Sequence, residues 1–479
     1  MERREFLKKT AIAGVAYAGV ELAGLAMPVT TEAFGTGGGL DILEGLDILE
    51  SGKEKNIIPV IRPEIRNNPN AVFLIETDVR ASRDSSGMFT EARSQLFDIG
   101  KEVVPLLFVK GTNKGGSSLI LPNFTNVPTP ELHHNPTVGI ITSPDFIAGF
   151  VEGLRGIGNT NIITSARGVT VRNHRQAGIY SVFDAHNIDL IEANYQRFSH
   201  YDKKELNWHS VPDAKVWKRI PTTRPIGDPD CFVINMPKLK NHNLGLTTLA
   251  IKNLQGAVPT GYGHYCNRWS AMEFLAKYSY NIDFNRDFVK NYYENVESAF
   301  LKHRSEGFKH WDYENSYSSY EAKGGWEAFK KVKGNPEKTK EFMKDIPGAL
   351  MWDEQWIQRA LDSAAALHPN INIIEGIIGR DGSGFNVGRD ELCNVLVIGL
   401  SKTEVDSIGS YIMGHDPTEL PYTRVAKERR LGENDPAKIK LYRIRNGEIT
   451  PITNLSEIKR YHLGVNMHTW AETGKRLFW

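Results

Sequence analysis

In the segment PKLKNHNLGLTTLAIKNLQG (237–256), Lys238, Lys240 and His242 alternate. Residues two apart on an extended chain share a side, so three groups able to carry positive charge converge there. Pro237 ends the apolar run CFVINM (231–236). Asn243 is placed to cap a helix over 245–255, on which Gly245, Thr248 and Lys252 share a face. A strand end, a cationic loop and a helix N-terminus with free N–H groups are the parts of a phosphate or carboxylate site. Lysines act in such a site as point charges rather than bidentate forks. A solvated lysine loop uses the same residues, and spacing alone leaves both readings open. The glycines of a Walker loop are absent.

Other segments offer groups for the same chemistry. Asn123, after Pro122, can bind a ligand through its amide or form an Asx turn. Arg167 closes the run NIITSARG (161–168), where it can clamp an oxyanion or sit in a surface ion pair. The loop GRDGSGFNVG (379–388) carries four glycines with Arg380 and Asp381, so its backbone can approach a ligand closely or merely connect. Asp406 can be a general base, a metal ligand or the partner of Lys238 or Lys252; turned inward, it needs a cation. With His242 it makes the candidate catalytic pair. GHYCNRW (263–269) sets His264 two residues from Cys266. With His242 these can ligate a transition metal, although H-x-C alone is a weak pattern. As a nucleophile, Cys266 lacks a third group to orient His264.

These residues need a scaffold, and the pattern supplies one. Residues 71–77, 118–121, 137–142, 161–164, 188–193, 231–236, 371–374 and 394–400 read as strands. Between them, Ser143-Pro144 opens a helix through Gly156, and 173–186 reads as another. Ser401-x-x-Glu404 reads as a capping box opening a helix to Met413, stopped by Gly414. Such alternation predicts an α/β fold, a largely parallel layered sheet flanked by helices. Residues 262–350, rich in aromatics, Lys and Glu, break the pattern and read as a helical insertion. Residues 34–69, with GLDILE twice, read as a linker, 70–432 as the α/β domain and 433–479 as a C-terminal extension.

PKLKNHNLGLTTLAIKNLQG is similar to the P-K-x-K-T-H…T-x-x-x-K-N-x-x-G signature of the family called domain of unknown function 362. LPNF (121–124) is similar to that family's K-P-N step. NIIEGIIGRDGSGFNVG and VDSIGSYIMG are similar to its D-G-I…G-x-G…G element and its V-D…M-G helix. The resemblance runs from about 70 to 432, interrupted by the insertion. It implies an α/β fold with its site where these motifs meet, and adds Asn253 of the K-N step to the ligand-binding candidates. It implies no reaction. The chain departs from the pattern at Leu121, Asn241 and Glu375, where relatives have Lys, Thr and Asp. It also lacks the ferredoxin-like cysteine cluster of many relatives.

The N-terminus, MERREFLKKTAIAGVAYAGVELAGLAMPVTTEA (1–33), resembles a twin-arginine export signal. Arg3-Arg4 precede Phe-Leu-Lys and a mild Ala/Gly-rich stretch too weak for a secure membrane span. Export by the twin-arginine machinery to the periplasm or the exterior is the expectation. Those 33 residues carry four basic and four acidic groups, so the remainder keeps the net charge of +1. No global pull toward nucleic acid or membrane follows, and any cationic site is local. Cys231, Cys266 and Cys393 are far apart. No internal iron–sulfur cluster is expected from three thiols, while other cofactors stay open. The sequence therefore predicts an exported enzyme acting on a small anion by redox or group-transfer chemistry. Its alternative is a non-catalytic ligand- or metal-binding accessory protein serving a partner in an envelope complex.

Overall fold

Val72 and Leu74 face one side of their strand, Phe73 and Ile75 the other, and all four are buried. The same two-sided burial recurs at Leu119 and Leu121 against Ile120, and at Val233 against Phe232 and Ile234. Strands covered on both faces read as continuous apolar runs rather than alternating ones, as here. The computed structural model describes residues 56–83, 92–112, 115–124, 139–166, 178–192, 206–214, 219–242, 246–258, 328, 331, 338, 349–382 and 388–464.

Among the described residues, eleven strands make the main sheet. In chain order they are β1 (Val72–Glu76), β2 (Ser117–Pro122), β3 (Ile162–Ala166), β4 (Asp189–Glu192), β5 (Cys231–Met236), β6 (Lys238–His242), β7 (Leu246–Thr247), β8 (Ile371–Arg380), β9 (Asp390–Gly399), β10 (Leu441–Arg445) and β11 (Glu448–Ile452). Across the sheet the order is β11-β10-β1-β9-β8-β5-β2-β3-β4, with β6 pairing β8 and β7. The run β8-β5-β2-β3-β4 is parallel, as are β6 with β8 and β10 with β1. The hairpin β8–β9 and the pair β9–β1 are antiparallel. The sheet is thus mixed and mostly parallel, in an α/β fold.

Helices α1 (Arg93–Leu107), α2 (Pro144–Gly156) and α3 (Ile179–Ala185) share one core with Phe73, Ile120, Ile234 and Ile373. On the opposite face lie α4 (Ala250–Asn253), α5 (Ala349–Ala366), α6 (Lys402–Ile412) and α7 (Pro421–Glu428). Two small antiparallel pairs, Val60–Ile61 with Phe108–Val109 and Leu206–Ser210 with Arg219–Thr223, stand apart from the main sheet. Helix α2 begins where its sequence says. Ser143 is the N-cap and its Oγ accepts from the Phe146 N–H, while Pro144 fills the first helical position.

Several expectations are corrected. Gly139–Thr142 forms a turn, not a strand, because its polar groups bond to strand ends rather than to a ladder. Leu246 has φ 61°, which a right-handed helix excludes, and Leu246–Thr247 pairs with β6 instead. The expected helix over 245–255 shrinks to α4 followed by a 3₁₀ turn, Leu254–Ala257. Ser401 is the N-cap of α6 but accepts no cap hydrogen bond. Its hydroxyl donates to Glu404, whose other oxygen accepts from the Glu433 N–H, so the capping box is not made. The last part of the expected linker is packed, with Ile61 and Ile65 buried. The expected C-terminal extension adds β10 and β11 to the sheet. The segment 1–33, most of the insertion 262–350, Asn243 and Gly245 lie outside the described residues. No described helix is long and apolar enough to cross a membrane.

Candidate functional site

Pro237 interrupts one continuous path. β5 runs beside β8 at Ile371 and Asn372, and β6 resumes beside it from Glu375 to Arg380. Alternation then sends Lys238 and Lys240 toward α2, while Leu239 packs with the core under α6. Both lysines are almost fully enclosed, 1% and 2% exposed, so neither belongs to a solvated loop.

Their partners differ. Lys238 Nζ donates to Glu375 Oε2 at 2.5 Å. The same carboxylate accepts from the Ser143 N–H at 3.2 Å and the Ile377 N–H at 3.0 Å. It therefore also meets the positive end of α2. Lys240 Nζ donates to Asn123 Oδ1 at 3.0 Å and to the Ile140 carbonyl at 2.7 Å. No carboxylate pairs with it among the described residues. Burial drives the Lys240 pKa well below the ordinary lysine value, and Lys252, Arg380 and Lys238 push it further down.

The turn 139–142 carries one of these acceptors, the Ile140 carbonyl, and braces the other. Thr142 Oγ1 donates to the Met236 carbonyl and accepts from the Asn123 N–H, which fixes Ile140 and Asn123 around Lys240. Gly139 is required beside it, since a Cβ there would strike Asp390 Oδ1 and the Gly379 carbonyl. Asp390 pairs with Arg380 at 2.9 Å. Burial raises its pKa, against the pull of Arg380. Among the described residues, Arg380 Nε and Asp390 Oδ2 are buried without a hydrogen-bond partner.

The other predicted residues divide. Lys252 sits on α4, half-buried, and its charge acts on Lys240. His242 is buried at the end of β6, opposite Leu246. Asp381 accepts from the Arg389 N–H and closes the neck of the glycine loop. Asn253 instead belongs to an amide ladder across the sheet. Its Nδ2 donates to Asn235 Oδ1 and to the Leu121 carbonyl, and Asn235 Nδ2 donates to Asn372 Oδ1. Arg167, His264 and Cys266 lie outside the described residues. No group of three His, Cys, Asp or Glu side chains able to hold a metal occurs among the described residues.

Asp406 is corrected in its partner. It does not pair with Lys238, which Glu375 holds. Asp406 Oδ1 accepts from the Ala250 N–H at 2.6 Å and Oδ2 from the Ile251 N–H at 3.0 Å. The anion at the start of α4 is thus the protein's own carboxylate, not a ligand. Burial lifts its pKa to about 7, although the two N–H bonds and Lys402 oppose the rise.

Sequence reasoning missed Glu375 and Asp390 as the counter-ions and Thr142 as the strut. The available signal was an acid inside an apolar strand, IIEGII, since Glu is almost never fully buried unless paired. No curated protein and no solved structure matches the chain. The model of one family, domain of unknown function (DUF362), matches residues 119–411. That match begins in β2 beside Asn123, takes in both lysines, Glu375 and Arg380, and ends in α6, so the chain belongs to the DUF362 family.

Proposed function

We propose that this protein binds a small anion beside Lys240 and acts on it as an enzyme outside the cytoplasmic membrane. One observation carries the reading. Lys240 is buried within reach of three cations, and among the described residues its nitrogen touches only neutral oxygens. Glu375 and Asp390, the nearby carboxylates, are each bonded to another cation. A locally positive, dry site of this kind gains most from a phosphate or carboxylate, because desolvated charges interact strongly. The twin-arginine pattern at Arg3-Arg4 supports export.

A second reading, a non-catalytic carrier for an envelope partner, draws support from Asp406. Both of its oxygens accept from backbone N–H groups, which fits a carboxylate that caps α4 better than one that takes a proton from a ligand.

Thermal melting with inorganic phosphate, nucleotides and small carboxylates tests the binding. A true ligand at a hundred times its Kd adds about 2.7 kcal/mol. Lys240→Met, which keeps the volume and removes the amine, is expected to stay folded and to lose that response. If Lys240→Met responds like the parent, the site lies elsewhere. For export, replacing Arg3 and Arg4 by Lys is expected to retain the protein in the cytoplasmic fraction of a bacterial host, as read by immunoblot. Unchanged secretion refutes that part.

A further inference from the structure

Lys238 and Lys240 stand two residues apart on one strand and are equally buried. Their surroundings call for different forms of the same side chain. The Lys238 nitrogen faces a carboxylate. The Lys240 nitrogen faces two acceptors without charge, Asn123 Oδ1 and the Ile140 carbonyl. An ammonium has three N–H donors to satisfy. A neutral amine has two, and the two acceptors match them. What remains on the amine is its lone pair.

The charged groups around it are Lys252 from α4, Lys238 from β6 itself and Arg380 from β8, with Glu375 and Asp390 bonded to the last two. Desolvation and adjacent cations are the means by which a lysine is made nucleophilic. Asn123 and Ile140 also fix the direction of the nitrogen, because both are held by Thr142 and the turn it braces.

We propose that Lys240 is an amine nucleophile that forms an imine with a 2-oxo acid, whose carboxylate lies against Arg380, the register neighbour of Lys240 on β8. The assignment rests on the anion-binding reading above and names its substrate class. A 2-oxo acid joins a negative group and an electrophilic carbon on adjacent atoms, which suits an amine set among cations. The Nζ lone pair attacks the carbonyl carbon, and the carbonyl π pair moves to oxygen. One N–H proton passes to that oxygen. The carbon–oxygen bond then breaks, and the second N–H proton leaves with the hydroxyl as water. Ketone plus amine gives imine plus water, with no change in oxidation state.

The test uses the full chain with pyruvate, 2-oxoglutarate or glyoxylate and sodium cyanoborohydride, followed by peptide mapping. A reduced adduct on Lys240, saturable and absent from Lys238, is expected. Oxalate, which carries the charge without a ketone, is expected to block it. Lys240→Arg keeps N–H donors for Asn123 and Ile140 but has no nucleophilic amine, and is expected to give no adduct in a folded protein. If Lys240 stays unmodified with all three acids while oxalate still raises the melting temperature, the imine is refuted and the anion site stands. If oxalate has no effect either, both readings fall.

Discussion

Asp406 illustrates how much a single side chain does once its partners are known. Its carboxylate caps the four-residue helix α4 from another element, and so holds the helix that carries Lys252. Asp406→Asn replaces one acceptor by an NH₂ that must face a backbone N–H. The expected loss is about 1–3 kcal/mol of stability, the cost of a buried donor left unmet, read from denaturant midpoints. The pH dependence has a definite sign. The folded pKa, about 7, exceeds the ordinary 3.8, so the folded state holds more protons through that window. Stability arising from this group therefore falls as pH rises from 3.8 through about 7. Denaturant titrations across the window are expected to show this slope in the parent and its loss in Asp406→Asn. At this scale the sequence was legible where alternation fixes a side, as at Lys238 and Lys240. It did not assign Glu375 and Asp390 their partners, because the register of β8 against β6 and β9 decides which acid meets which base.

Helices were readable when a cap residue and a long apolar face agreed. Helix α2 had both, and its start matched Ser143-Pro144. The segment GLTTLAIKNLQ fits helical spacing as well, yet Leu246 turns left-handed and the chain first completes a strand with β6. Tertiary pairing overrode a short local preference. Close packing of α1 against α2 was also hidden. A Cβ at Gly149 would overlap the Phe97 carbonyl, whereas Gly156, the last residue of α2, has open space around it. Gly149→Ala is expected to lose about 1–3 kcal/mol by overpacking. Gly156→Ala is expected to gain about 0.4–1 kcal/mol by restricting the unfolded chain. Paired unfolding curves check both, and equal effects would refute the packing argument.

For the molecule as a whole, apolar runs separated by helices were enough to indicate a layered, mostly parallel sheet. The order of strands was not, since a parallel neighbour may come from any distance along the chain. Residues 441–452 show this best. They looked like an appendage, because Tyr442, Arg443 and Arg445 break up the apolar signal. In the fold β10 lies directly beside β1, with Leu441 opposite Val72, and β11 covers its outer side. That adjacency joins the two ends of the described core. A ribosome must therefore have released residue 445 before β1 finds its last neighbour. Until then β1 offers an open edge, and the nascent protein depends on something else to keep that edge from sticking to other chains.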